Sequence, residues 1–458
     1  MTENLTARVQ NYAVYLPAVQ PGSAERLRAA ASKMRPGTWG HRTRREDLDW
    51  LQPQNRHWHY KWCLASAGTM LDLRNDSTII TRNRNTLVVG DSGGYQIGSG
   101  ALAATREWLP HADDPKLIMK KWLESDTRHK IVRWLDTKTN YATTIDMPLW
   151  VRLPEWKKSP FNQLTEAQLT ALSVDNLRFI DANRDRQTGC KFLNVLQALT
   201  LPDDVAESMA SEQRWYEAVR DFPFEGWAYG GAVGASGGIY RVLRRLLLTR
   251  DDGLLANPRN WFHALGVSTP IWAVFLTAVQ RAVRATVNPD FTVSFDSSSP
   301  YQIGGKFCRY AEHPLFGEDI KNWTIRVAKF PTGYAEANAD TDEFIPSISP
   351  IMKNWSIRDL NTHKGKKKGR RIDALADEIV LNHNVYVYAR AMIDANDAVF
   401  GGKRAVPAQI TQAVDIIGEL FTCADWQPKL EQYKGFLQKV IGRSAKNSLD
   451  KAADKEVR

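Results

Sequence analysis

The sequence predicts an α/β protein organised as a (β/α)8 TIM-like barrel. Three observations carry that expectation. Short apolar runs of β character recur along the chain, most of them stop at a polar or glycine-rich cluster, and stretches of helical period lie between them. An open doubly wound sheet gathers its function at one switch point, whereas a barrel sends the C-terminal end of every strand to one mouth. Clusters at nearly every strand end therefore favour the barrel.

Taken in chain order, NTLVVG (85–90) stops at Asp91, Ser92 and the Gly93-Gly94 pair. NYATTI (140–145) stops at DMP (146–148), and KFLNVL (191–196) stops at Gln197. GWAY (226–229) opens into GGAVG (230–234), WFHALG (261–266) is followed by VSTP, and FTVSF (291–295) by DSSSP. Helices are expected at 167–184, 211–222, 239–250 and 271–287, the last two with apolar residues at helical spacing. The barrel should take up the main part of residues 1–310. Residues 311–375 are rich in Pro, Asp, Asn and Ser and read as an insertion that carries HKGKKKGRR (363–371). Residues 376–458 should supply a long barrel-closing helix at 376–399 and one or two further helices within 405–445.

The 458 residues are 43% hydrophobic and 24% charged, which allows a large globular core that would absorb most of the 16 tryptophans. Lys and Arg outnumber Asp and Glu by 61 to 51, a net charge of +10 that favours a polyanionic partner. Lys364, Lys366, Lys367, Lys368, Arg370 and Arg371 are concentrated in one short segment. It reads either as a solvated loop or as a nucleic-acid-binding arm that contacts phosphates. Cys63, Cys190, Cys308 and Cys423 lie far apart, which argues against a disulfide framework and against a cysteine-rich zinc site. No signal-peptide pattern and no run near the roughly 20 apolar residues of a membrane helix is present. A soluble, cytoplasmic protein without a membrane partner is expected.

Asp91, Asp146 and Asp296 each directly follow an apolar strand. Any one of them alone reads as a helix N-cap. In a barrel all three converge on one mouth, with Gln197 and the 230–234 glycines. Two carboxylates across an anomeric carbon can run a double displacement. A third can accept hydrogen bonds from the N–H edge of a purine-like base. A glutamine and backbone amides can address a carbonyl, and Tyr95 can stack on the ring.

DSGGYQ (91–96) closely resembles the DSGGFQ/DSGGYQ signature of the tRNA-guanine transglycosylase superfamily. IDMP (145–148), LNVLQ (193–197), YGGAVG (229–234), HALGVSTP (263–270), SFDSSSP (294–300) and LNHNVYVYARAMIDA (381–395) resemble further family segments, in the family's order. The resemblance implies a glycosyltransferase in which Asp296 is the nucleophile and Asp91 the general acid/base. It implies that Asp146 reads the amidine-like edge of guanine or a 7-deazaguanine, and that Gln197, Gly230 and Gly231 address its carbonyl side. Tyr95 would stack on the base, and Ser92 would sit beside the exchange site. It implies no redox or nucleotide cofactor, and homodimers are common in the family.

The chain departs from the pattern in two places. The family's CxCxxC zinc motif is absent, so no zinc is expected. The glycine loop is one residue shorter than the family's and is followed by Ala235 in place of Glu. These departures, with the basic arm, make the sequence most similar to the phage and bacterial branch that places 7-deazaguanines such as preQ0 into DNA as protection from restriction. DNA suits the chemistry, because deoxyribose lacks the 2′-OH that destabilises an oxocarbenium-like transition state. The target base must first be flipped out, at a cost of a few kcal/mol. The competing expectations are a zinc-free tRNA-guanine transglycosylase, a non-catalytic nucleic-acid-binding subunit, and a glycosylase that removes the base without replacing it.

Overall fold

Strands covered on both faces need apolar side chains on both, and the short runs in this chain have that composition. The computed structural model describes residues 3–31, 45–71, 73, 85–201, 204–230, 237–306, 309–329, 343–345, 347–360, 374–402 and 405–441. Eight strands form one parallel sheet: β1 (Val14–Pro17), β2 (Trp62–Ser66), β3 (Leu87–Asp91), β4 (Tyr141–Thr143), β5 (Lys191–Leu196), β6 (Gly226–Tyr229), β7 (Trp261–Ala264) and β8 (Thr292–Ser297). From β2 to β8 each strand pairs with its sequence neighbour, and β8 also pairs with β1. Between β1 and β2 the sheet nearly closes into a barrel: Ala18 bridges Leu64, and the Val19 amide donates to the Leu64 carbonyl at 2.8 Å.

Six of these strands are the runs read from sequence. The other two, β1 and β2, lie in VYLP and WCLAS, where no polar cluster marks the strand end. Every residue of β1 is buried, as is every residue of β6 and β7.

Helices fill the connections: α1 (Gly94–Ser99), α2 (Pro115–Glu124), α3 (Thr127–Lys138), α4 (Glu166–Asn183), α5 (Val205–Val219), α6 (Gly238–Asp251) and α7 (Pro270–Thr286). Local chemistry sets their starts. Thr165 and Gln168 form a reciprocal capping box on α4, and Thr269 caps α7 with Pro270 at its first position. After the barrel come a two-stranded antiparallel ribbon, β9 (Arg309–Glu312) with β10 (Arg326–Lys329), and helices α8 (Ala374–Phe400), α9 (Ala408–Thr422) and α10 (Trp426–Leu437). Helix α8 packs on α7 and on β9. The basic arm at 363–371, with Lys364, Lys366, Lys367, Lys368, Arg370 and Arg371, lies outside the described residues, as do Gly231, Ala235 and Cys308. Among the described residues no helix is long and apolar enough to cross a membrane.

Helix α8 is tied to the N-terminal segment by charge. Asp394 accepts from Arg8 at 2.6 Å and from Arg390 at 2.9 Å, and it lies 3.1 Å from His313. Tyr12 donates to Asp397 at 2.7 Å. Burial alone would raise the Asp394 carboxyl, but the bonds from His313 and Arg8 and the charge of Arg390 outweigh it and hold the group well below the usual carboxylate range. Its contribution to stability is therefore present above the ordinary carboxylate range and is lost as pH falls through the depressed value. Asp394→Asn should destabilise the fold by about 2 kcal/mol at pH 7 in urea unfolding, with a smaller deficit at pH 3. An equal deficit at both pH values would contradict this account.

Candidate functional site

A parallel barrel turns strand register into geometry at its mouth. Ser66 and Asp91 stand opposite each other at the ends of β2 and β3, and Asp296 stands opposite Leu16 near the end of β8. Asp146 follows β4 by a short turn. Charge is felt between them. Asp91 raises the proton affinity of Asp146, and Asp296 raises that of Asp91.

Each carboxylate has a distinct set of partners. Burial pushes the Asp91 carboxyl up and Asp296 adds to that, while the Ser66 hydroxyl, the Gly93 amide at 3.2 Å and His263 oppose it. Asp146 is raised to about 7, first by burial and then by Asp91. Gln197 opposes that shift by donating to Asp146 Oδ2 at 2.8 Å. Asp296 Oδ1 accepts from the Gly266 backbone amide at 2.8 Å.

His263, which sequence reasoning passed over, faces the same atom. Its Nε2 lies 3.4 Å from Asp296 Oδ1, and the ring is fully buried. Its Nδ1 is 2.8 Å from Ser294 Oγ, which also accepts from Trp261 Nε1 at 2.8 Å. With one lone pair of Ser294 Oγ taken by the indole N–H, its hydroxyl hydrogen is free to point at His263 Nδ1. His263 Nε2 stands beside Asp296 without closing a hydrogen bond to it. The only available signal was His263 in an otherwise apolar strand, and such a histidine usually reads as core.

The remaining predicted residues take up different positions. Tyr95 is 58% exposed at the mouth, packed against Trp150 at 5.7 Å and Trp156 at 5.8 Å between ring centroids. Ser92 is fully buried: its hydroxyl donates to the Thr144 carbonyl at 3.0 Å and accepts from Thr143. It holds β3 to β4 and presents no free donor to the mouth. Gln197 is also engaged in the scaffold. Its Nε2 donates to Asp146 and, at 3.1 Å, to the Met147 carbonyl, and its Oε1 accepts from the Leu149 amide at 2.9 Å. The Gly230 amide donates to the Leu196 carbonyl at 2.8 Å. In this structure Gln197 and the Gly230 amide are both engaged within the scaffold of the site.

Close approach explains the glycine pair. A side chain on Gly93 would meet Gly68 backbone at 2.5 Å, and Gly93 has a left-handed φ of 89°. A Cβ on Gly94 would stand 3.0 Å from Asp146 Oδ1. Among the described residues, no three His, Cys, Asp or Glu side chains gather as a metal site. Neither a protein-family model nor a curated protein matches the chain.

A carboxyl raised to about 7 makes stability depend on pH. The contribution of Asp146 is fully present below the ordinary aspartate value and is lost as pH rises through about 7. Asp146→Asn should therefore gain on the wild-type protein between pH 4.5 and pH 8, by about 2 kcal/mol, in urea unfolding. A difference that does not change with pH would show that Asp146 ionises normally.

Proposed function

We propose that the protein is a DNA-guanine transglycosylase that exchanges guanine in DNA for a 7-deazaguanine through a covalent aspartyl-deoxyribosyl intermediate. The observation that carries the reading is the meeting of Asp91, Asp146 and Asp296 at one barrel mouth, each with its own donors. Together with the ordered motifs from DSGGYQ to SFDSSSP, it supports base exchange over a plain scaffold.

The chemistry follows from the placement. The Gly266 amide donates to Asp296 Oδ1 and orients the carboxylate, with His263 Nε2 beside the same oxygen, leaving its other oxygen to attack C1′. The C1′–N9 bond breaks as the new C1′–O bond forms, and the departing guanine takes a proton at the base. Asp91, with its proton affinity raised by burial, suits the donor role. The incoming 7-deazaguanine then attacks C1′ through N9, loses its proton to Asp91, and releases Asp296. One glycosidic bond replaces another, so the exchange draws on no external energy source. Asp146 accepts from the amidine-like edge of the base, with Gln197 positioning it. Tyr95 stacks on the ring.

In this reading the segment 311–375 takes the place of the family's zinc subdomain, and α8 to α10 are helical additions to the barrel. The segment has no cysteine. The family's three-cysteine site has no ligands there, and no step is routed through zinc. The lysines and arginines of 363–371 would meet phosphates.

The test is base exchange with purified protein. Labelled 7-cyano-7-deazaguanine is offered with duplex DNA or with bulk tRNA. Label should enter DNA, and Asp296→Asn should lower the rate by at least about a thousandfold while leaving DNA affinity within a few-fold. Label entering tRNA alone would overturn the choice of DNA, and undiminished exchange by the variant would overturn the nucleophile.

A further inference from the structure

The turn that follows Asp146 carries features that base exchange at C1′ does not use. Leu149–Arg152 is one 3-10 turn. Its Trp150 packs on Tyr95 at the mouth, and Trp156 stands nearly perpendicular to Tyr95, at 87°. The two indoles brace the Tyr95 ring and leave more than half of its surface to solvent. Arg152, at the other end of the turn, lines a groove of ≈ 760 Å³ with Arg178 of α4 and Arg214 of α5.

The charge in this groove is not balanced. Arg214 is held by Glu166 at 2.9 Å and Glu207 at 2.6 Å. Arg152 and Arg178 are exposed and have no hydrogen bond or ion pair among the described residues. The acidic side chains nearest Arg178 along α4 are already engaged: Asp175 with Arg128 at 2.6 Å and Asp181 with Arg186 at 2.7 Å. Lys157 and Lys158, also exposed, follow Trp156 on the same loop, against a single exposed Glu155. Exposed aromatic surface interleaved with uncompensated cations is what an unpaired nucleic-acid strand requires: ring faces for bases and point charges for phosphates.

We propose that this face is the docking track for a single strand of DNA. The base flanking the extruded nucleotide stacks on the Trp150–Trp156 pair beside Tyr95, and the next phosphates lie over Arg152 and Arg178. The proposal rests on the DNA reading above and deepens it by assigning the path of the strand outside the mouth. A duplex keeps its bases stacked inside and would gain only the phosphate contacts, so the aromatic cluster specifies the unpaired form.

The test is binding of fluorescein-labelled single-stranded DNA by the full chain, followed by anisotropy over a range of salt concentrations. Arg152→Glu/Arg178→Glu should weaken binding about tenfold or more at low salt. It should also flatten the slope of log K against log salt by about 1.4, two contacts at about 0.7 each. Trp156→Leu should weaken binding about tenfold with the slope unchanged. Lys191→Glu, at the opposite end of the barrel, is the control and should match the wild-type protein. Unchanged urea midpoints would confirm that the variants fold. Wild-type slope and affinity in the double arginine variant would overturn the track while leaving base exchange intact. A wild-type protein that exchanges bases but does not bind single strands would also overturn it. A protein that neither binds nor exchanges would overturn the DNA reading together with the track.

Discussion

Like charges brought together in a low-dielectric mouth are the constraint on which the rest of this structure depends. The nearly closed parallel sheet sends the ends of β3, β4 and β8 to one side, and with them Asp91, Asp146 and Asp296. Burial first, and the neighbouring carboxylate after it, raises the proton affinity of two of the three groups. Asp146 is lifted to about 7 and Asp91 is lifted too.

The scaffold around the mouth fixes each carboxylate separately. Asp296 is oriented by a backbone amide and has an imidazole beside it, and that imidazole is set in turn by Ser294 and Trp261. Asp146 is held by Gln197, whose other contacts pin the turn 147–149. The turn leads directly into Trp150 and Arg152. Asp146, the aromatic cluster at the mouth and the charge in the outer groove are thus linked through one short segment. A displacement of Gln197 would be felt in all three.

Much of this was legible in the sequence, for identifiable reasons. The strands that end in DSGG, DMP or DSSSP declare both their ends and their orientation, because polar clusters punctuate apolar runs. The helices at 167–184 and 271–287 differ from the observed α4 and α7 by a single residue at each end. VYLP and WCLAS gave no such signal, since their strand ends carry no polar cluster. The roles of Gln197, Ser92 and His263 depend on contacts across strands. Register places Ser294 opposite His263, and no local pattern encodes that pairing. The tryptophans of 150–156 read as core from composition, and only the fold brings them to Tyr95.

The central claim is that Asp296 becomes covalently attached to a deoxyribose while Asp91 handles the proton. The most direct measurement is mass spectrometry of peptides after the protein is incubated with guanine-containing DNA, with no incoming base, and quenched in acid. The account predicts a deoxyribose-linked adduct on the peptide that contains Asp296, absent from Asp296→Asn. An adduct on Asp91 or Asp146, or base exchange that proceeds with no adduct on any carboxylate, would contradict it.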